Sequence, residues 1–167
     1  IASAVDLVRF ASAADDIEQE LGLNILGIVP LVKKSVRRDL ALSCLKGNSP
    51  VTTEAFATIR AVLSSPEYAK SSQALVVTSC APEDGKTITS VNLAASFARS
   101  DRETLLVDMD LRRPRLGRIF KQQDPDFSLA HALSTPDRCS EEAFEALAKP
   151  SETLPTLHVV TSVPDPT

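Results

Sequence analysis

Lys86 and Thr87, which follow Gly85, and the carboxylates of Asp108 and Asp110 are the residues whose types and spacing could do chemistry together. Residues 74–87 read ALVVTSCAPEDGKT, an apolar β-type run that breaks into a polar loop and ends in Gly85-Lys86-Thr87. A strand that feeds such a turn can wrap a polyphosphate in backbone N–H groups, and a helix that starts there adds its positive N-terminus. Lys86 would neutralise β- and γ-phosphate charge, and the Thr87 hydroxyl would ligate Mg2+. The residues expected to hold the nucleotide are Ala81, Pro82, Glu83, Asp84, Gly85, Lys86, Thr87 and Ile88. The tripeptide alone is a weak signal, because Cys80 stands where the GxxxxGK[ST] pattern has its first glycine. Its setting strengthens it, since Gly85 falls where a Val/Leu strand stops and the amphipathic stretch 88–99 begins.

Roughly one βα unit later, TLLVDMDLRRP at 104–114 reads as a buried-type strand that ends in two carboxylates. Strand alternation puts Asp108 and Asp110 on the same side of a strand's carboxyl end, where ligands bind in open parallel α/β sheets. Beside a phosphate loop, one carboxylate can hold Mg2+ or its water, and the other can orient or deprotonate an attacking hydroxyl.

Several elements must position these groups. A short acidic helix with Asp15, Asp16 and Glu18 near its start is expected to end near Gly22, followed by a strand-like run at 25–32 that Gly27 and Pro30 interrupt. Residues 33–48 are basic around Lys33, Lys34, Arg37 and Arg38; they read either as an exposed connecting helix or as a juxtamembrane segment facing anionic lipid. After Ser49-Pro50, Thr52 or Thr53 would cap a helix with Phe56, Ile59 and Leu63 on its core face. Arg112, Arg113, Arg115 and Arg118 could position phosphate, pair with acidic partners or line a solvated loop. Short helices near 129–133 and 141–147 precede a strand at 157–162. Alternating strands and helices imply a parallel sheet joined by right-handed crossovers, with helices on its faces.

Composition fits one α/β core and excludes some functions. With 167 residues, 43% of them hydrophobic, the chain can bury a core without a disulfide or structural metal. A net charge of −4 and an aromatic content of 4% argue against a nucleic-acid surface. Cys44, Cys80 and Cys139 are odd in number and far apart, and read as reduced thiols; His131 and His158 have no partner pattern. There is no apolar run of membrane-spanning length and no signal-peptide pattern. The start at Ile1 and the stop soon after a strand suggest a piece of something longer.

With these residues in view, SCAPEDGKT, NLAASFA and LLVDMDLRRP resemble the bacterial tyrosine kinases of capsule and exopolysaccharide systems, a P-loop family related to partition ATPases. The upstream DDIEQELGLNILGIVP resembles the segment joining a membrane-bound polysaccharide co-polymerase to its cytosolic kinase domain. The resemblance implies an α/β P-loop NTPase-like parallel sheet with helices on both faces, truncated on its C-terminal side. It divides the chain into a juxtamembrane segment at 1–48 and the first part of a kinase domain at 49–167.

Carried to this sequence, the resemblance implies ATP or ADP with Mg2+ as cofactors and Lys86, Asp108 and Asp110 as catalytic residues, with Thr87, Asp108 and Asp110 holding the metal. The implied acceptor is the tyrosine-rich tail of a neighbouring subunit, on the cytoplasmic face of the bacterial inner membrane. Ala81 stands where the partition ATPases carry a signature lysine, which favours the kinase branch. Of the family's ExxRxxR ring-forming helix, Glu54 and Arg60 match while Ala57 departs. The family's Walker B Asp and tyrosine cluster would lie beyond Thr167, and Tyr68 reads as a surface or partly packed residue. An ATPase switch that modifies no tyrosine, or a non-catalytic regulator of polysaccharide chain length, are the alternatives.

Overall fold

Helix α4, Lys86–Ala98 (KTITSVNLAASFA), organises the structure, because from Val91 to Ser96 every side chain is buried. A helix buried on all sides needs partners on all sides. Ala94, Ala95 and Ala98 let neighbouring elements approach closely. The computed structural model describes residues 18–20, 22–30, 42–69, 74–124, 128–134 and 140–163.

The other elements, in chain order around α4, are α1 Ser43–Lys46, α2 Pro50–Leu63, α3 Pro66–Ala69, β1 Thr104–Val107, α5 Leu116–Ile119, α6 Leu129–Ser134, α7 Glu141–Leu147, β2 Lys149–Pro150 and β3 Leu157–Val160. The sheet has three strands in the order β1-β3-β2. Strands β1 and β3 run parallel, with Leu106 opposite Val159 and Val107 opposite Val160. Alternation then sends the two faces into different cores. Leu106, Leu157 and Val159 join Val91, Leu93, Ala94, Ala95 and Ala98 of α4, together with Cys44, Leu45 and Phe56. Val160 packs on the other face with Leu129 of α6 and Leu147 of α7. Helices therefore cover both faces, as expected.

The sheet departs from a purely parallel one. β2 pairs antiparallel with β3, because the connection at 151–156 is too short for the crossover that parallel strands require. Pro150 is tolerated because β2 is an edge.

Two expected strands do not form among the described residues. The apolar run 74–79 has no strand pairing, and Leu75 and Val76 are 50% and 92% exposed. A β-type composition describes a surface suited to burial, and a strand also needs a ladder partner. Among the described residues, β1 pairs only with β3. The described part of the run at 25–32, residues 25–30, is also irregular. Here Gly27 instead lies against α2, where an added Cβ would stand 2.6 Å from Ile59 Cγ1. Asn24 Nδ2 donates to Tyr68 Oη at 3.0 Å, which makes Tyr68 partly packed, as read.

Local signals held better at the helices. The acidic helix is described at residues 18–20, and Gly22, at φ 63°, closes it with an N–H bond to Glu18 O at 2.9 Å. Asp15, Asp16, Lys33, Lys34, Arg37, Arg38 and Cys139 lie outside the described residues. The end of the basic stretch is no exposed helix: Ser43, Cys44 and Leu45 of α1 are buried. Helix α2 starts earlier than expected, at Pro50, and its cap is Ser49, whose Oγ accepts the Thr52 N–H. Proline at the first helical position loses no hydrogen bond, so Ser49-Pro50 is itself the start signal. Among the described residues, no helix is long and apolar enough to cross a membrane.

Candidate active site

Gly85 is the hinge on which the phosphate-loop expectation turns. It is the N-cap of α4 at φ 97° and ψ 15°, a left-handed conformation that glycine adopts without steric cost. It offers no side-chain cap, so the first-turn N–H groups of Lys86, Thr87 and Ile88 have no intrahelical acceptor. The first closed turn is the Thr89 N–H bond to Gly85 O at 2.8 Å. Helix α4, not a helix from Ile88, thus brings Lys86 into its first turn, with Thr87 beside it, both half-buried.

The loop before it is folded on itself. Lys86 Nζ donates to Ser79 Oγ at 2.8 Å and to Ala81 O at 3.4 Å. Ser79 Oγ donates to Ala81 O at 2.8 Å. Asp84 Oδ2 accepts the Ala81 N–H at 2.8 Å. Glu83 sits at φ 69°, a region disfavoured for a residue with a Cβ. Ala81, Pro82, Glu83 and Asp84 are all exposed, and so is Ile88.

The two carboxylates after β1 are not equivalent. The strand ends at Val107, so alternation does not carry on to Asp110, and the expected shared side is not observed. Asp108 is buried and Asp110 exposed. Asp108 Oδ2 accepts the N–H groups of Arg115 and Leu116, each at 3.0 Å, and Oδ1 accepts the Asp110 N–H at 3.2 Å. It thereby closes the loop 109–115 and caps α5. Its own backbone is fixed from β3, through Asp108 N–H to Val160 O at 3.0 Å and Ser162 Oγ to Asp108 O at 3.1 Å. Asp110 Oδ1 accepts the Arg113 N–H at 3.0 Å, and no described group bonds Oδ2.

An ion pair spans the two halves of the site. Arg115 Nη2 lies 3.8 Å from Glu83 Oε1, so the phosphate-loop tip and the Asp108 loop face each other. Both side chains are exposed, and water screening leaves the pair little energy. The other arginines of that cluster, Arg112, Arg113 and Arg118, are exposed.

The donor set suits Mg2+ held mostly by a nucleotide. Mg2+ keeps several waters and takes one or two carboxylates plus phosphate oxygens; Thr87 has a hydroxyl and Asp110 an exposed carboxylate, donors of the kind such a shell would use. Among the described residues, no group of three or more His, Cys, Asp or Glu could hold a metal by itself.

The two expected interface residues on α2 separate. Glu54 is exposed, whereas Arg60 donates from Nε to Ser96 Oγ of α4 at 3.2 Å, tying α2 inward. Sequence reasoning missed the clamp on the back of α4. Asn92, fully buried, accepts the Cys44 N–H at 2.8 Å and donates to Ile88 O at 2.9 Å. Arg99 donates to the carbonyls of Cys44 and Leu45. A lone Asn between Val91 and the apolar run Leu93-Ala94-Ala95 was the available signal. Ser79, seven residues before Lys86, had no such signal, whereas Arg115 pairs with an acidic residue, one of the roles its cluster offered.

No protein-family model matches the chain. The tyrosine-protein kinase CpsD of Streptococcus pneumoniae is 47% identical over 58 residues, which are 35% of this chain and 26% of that protein. The crystal structure of the chimerical protein CapA2B2 superposes with a TM-score of 0.67 at 30% identity, covering 92% of this chain and 61% of that one. The BceF tyrosine kinase domain gives a TM-score of 0.71 at 24% identity, covering 91% and 62%, a likeness of fold. The chain therefore spans about a quarter of CpsD and about three fifths of either solved chain.

Proposed function

We infer that this chain, a relative of the bacterial tyrosine-protein kinases, is the nucleotide-binding part of a kinase that phosphorylates tyrosines and regulates capsule or exopolysaccharide polymerisation at the cytoplasmic face of the inner membrane. The observation that carries this reading is the first turn of α4, where uncapped N–H groups, Lys86 and Thr87 converge behind a left-handed Gly85.

Bound Mg-ATP would supply the transferable phosphoryl group and draw off charge at its oxygens. The N–H groups of Lys86, Thr87 and Ile88 would hold phosphate oxygens, and Lys86 Nζ would leave Ser79 to neutralise them. The Thr87 hydroxyl and Asp110 would hold the metal. Asp110 Oδ2 would also be the carboxylate oxygen that orients, and takes the proton from, a tyrosine hydroxyl on a neighbouring subunit's tail. Asp108, with both oxygens bonded to backbone, would position Asp110 and complete the metal's outer shell. Positioning and charge neutralisation supply most of such catalysis, because a loose transition state asks little covalent chemistry of the protein.

The test has two arms. Calorimetry with Mg-ADP should show weak binding to this chain and none to Lys86→Met. In a protein carrying the full length of its relatives, Mg-ATP should produce phosphotyrosine that Lys86→Met and Asp110→Asn nearly abolish. Wild-type phosphotyrosine levels in the Lys86 variant would sink the reading, and ATP hydrolysis without any phosphotyrosine would point to an ATPase switch.

A further inference from the structure

Ala81 is held at both ends of its backbone by its own loop. Its carbonyl accepts from Ser79 Oγ at 2.8 Å and from Lys86 Nζ at 3.4 Å. Its N–H is taken by Asp84 Oδ2 at 2.8 Å. A phosphate loop binds anions through backbone N–H groups that converge on one point. Ala81 is among the loop residues expected to hold the nucleotide, and its N–H already faces a carboxylate, which has the charge and the acceptor oxygens of a phosphate edge. Lys86, the loop's principal cation, is occupied by the same turn. The left-handed Glu83 reverses the chain between Ala81 and Asp84.

We propose that Asp84 is an internal competitor for the nucleotide's phosphate: its carboxylate occupies the Ala81 N–H, and polyphosphate binds only by displacing it. The proposal rests on the nucleotide-binding reading of this site and adds an affinity-setting residue to it. Displacement moves a negative charge from the loop's inner edge into solvent, so the loop exchanges its own anion for the ligand's. The closed form costs the free protein little, because Asp84 is exposed and its bond competes with water. The consequence falls on affinity: a closed fraction of molecules lowers the apparent affinity by that fraction.

The experiment compares wild type with Asp84→Ala, Asp84→Asn and Glu83→Gln by Mg-ADP calorimetry at low ionic strength, after circular dichroism has shown each to be folded. Asp84→Ala should bind about three- to tenfold tighter than wild type, the range set by one ordinary hydrogen bond. Asp84→Asn removes the charge but keeps a carbonyl that can accept from Ala81, so its gain should be smaller than that of Asp84→Ala. Glu83→Gln gives the effect of losing one loop charge together with its exposed pair to Arg115. Without nucleotide, the Ala81 amide should exchange faster in Asp84→Ala and stay near the wild-type rate in Asp84→Asn.

Equal gains in the Ala and Asn variants would assign the effect to charge and overturn the competitor role, as would unchanged Ala81 exchange. Wild-type binding that Asp84→Ala does not tighten overturns this inference alone. Folded proteins of which neither wild type nor Asp84→Ala binds Mg-ADP overturn the nucleotide-binding reading and the inference with it.

Discussion

Asp108 Oδ2 accepts the backbone N–H of Leu116 at 3.0 Å, so a carboxylate expected to face a ligand instead starts a helix. With the Arg115 and Asp110 amides bonded to the same side chain, Asp108 fixes the whole loop on which Asp110 is displayed. A variant at Asp108 therefore disturbs structure and chemistry together, and the two aspartates separate experimentally.

Asp108→Asn puts an NH2 group where one of these N–H donors needs an acceptor, which costs about 1–3 kcal/mol. Asp110→Asn, on an exposed loop, should change stability by less than about 0.5 kcal/mol while weakening the Mg2+ dependence of nucleotide binding. Urea unfolding and Mg-ADP titration of both variants check this. Equal destabilisation would contradict the division of roles.

Glu83→Gly should stabilise the protein by about 1 kcal/mol, because glycine adopts φ 69° without the cost a Cβ imposes. The lost pair with Arg115 offsets little, since both side chains are exposed. Thermal unfolding of Glu83→Gly beside Arg115→Ala separates the two contributions.

Asn92→Leu leaves the buried Cys44 N–H without its acceptor and should cost about 1–3 kcal/mol. Amide exchange at Cys44 should rise along with it, reporting release of α1 from α4.

Cys80 is exposed and Cys44 is buried without any exposed surface, so a thiol reagent should modify Cys80 first in a Cys139→Ser background. Burial pushes the Cys44 thiol up, against smaller opposing effects of a Thr53 hydrogen bond and the Arg99 charge. A thiol raised on folding contributes stability that is complete below its unfolded value of about 8.5 and is lost as pH rises through the higher folded value. Wild type should therefore lose more stability than Cys44→Ala between neutral pH and pH of about 10. Parallel pH profiles would remove Cys44 as the cause.

Gly117→Ala should destabilise α5 and, through it, the Asp108 loop, because the new Cβ would stand 2.6 Å from the Gln122 carbonyl oxygen. Chemical denaturation compared with Arg118→Ala, an exposed neighbour on the same short helix, measures the difference.

Much of this protein was legible in its residues. Helix α7 lies at 141–147 and β3 begins at Leu157, both as expected, and a helix follows Gly85, starting two residues earlier than expected so that it carries Lys86 and Thr87. These features are local: a helix closes its hydrogen bonds within four residues, and a glycine's freedom belongs to its own backbone. The likeness to tyrosine kinases was legible for the same reason, since its motifs are contiguous.

Other features depended on partners distant in sequence. Residues 74–79 have the composition of a strand and find no ladder among the described residues, and β2 turned antiparallel because its connection to β3 is short. Arg60 met Ser96, thirty-six residues away, and Asn92 met Cys44, forty-eight away. The sequence by itself determined which groups could do chemistry and that a helix would follow Gly85. Only the tertiary structure decided that Asp108 turns inward to hold a loop while Asp110 faces out, because a carboxylate's orientation is set by the donors that surround it, and here packing supplies those donors.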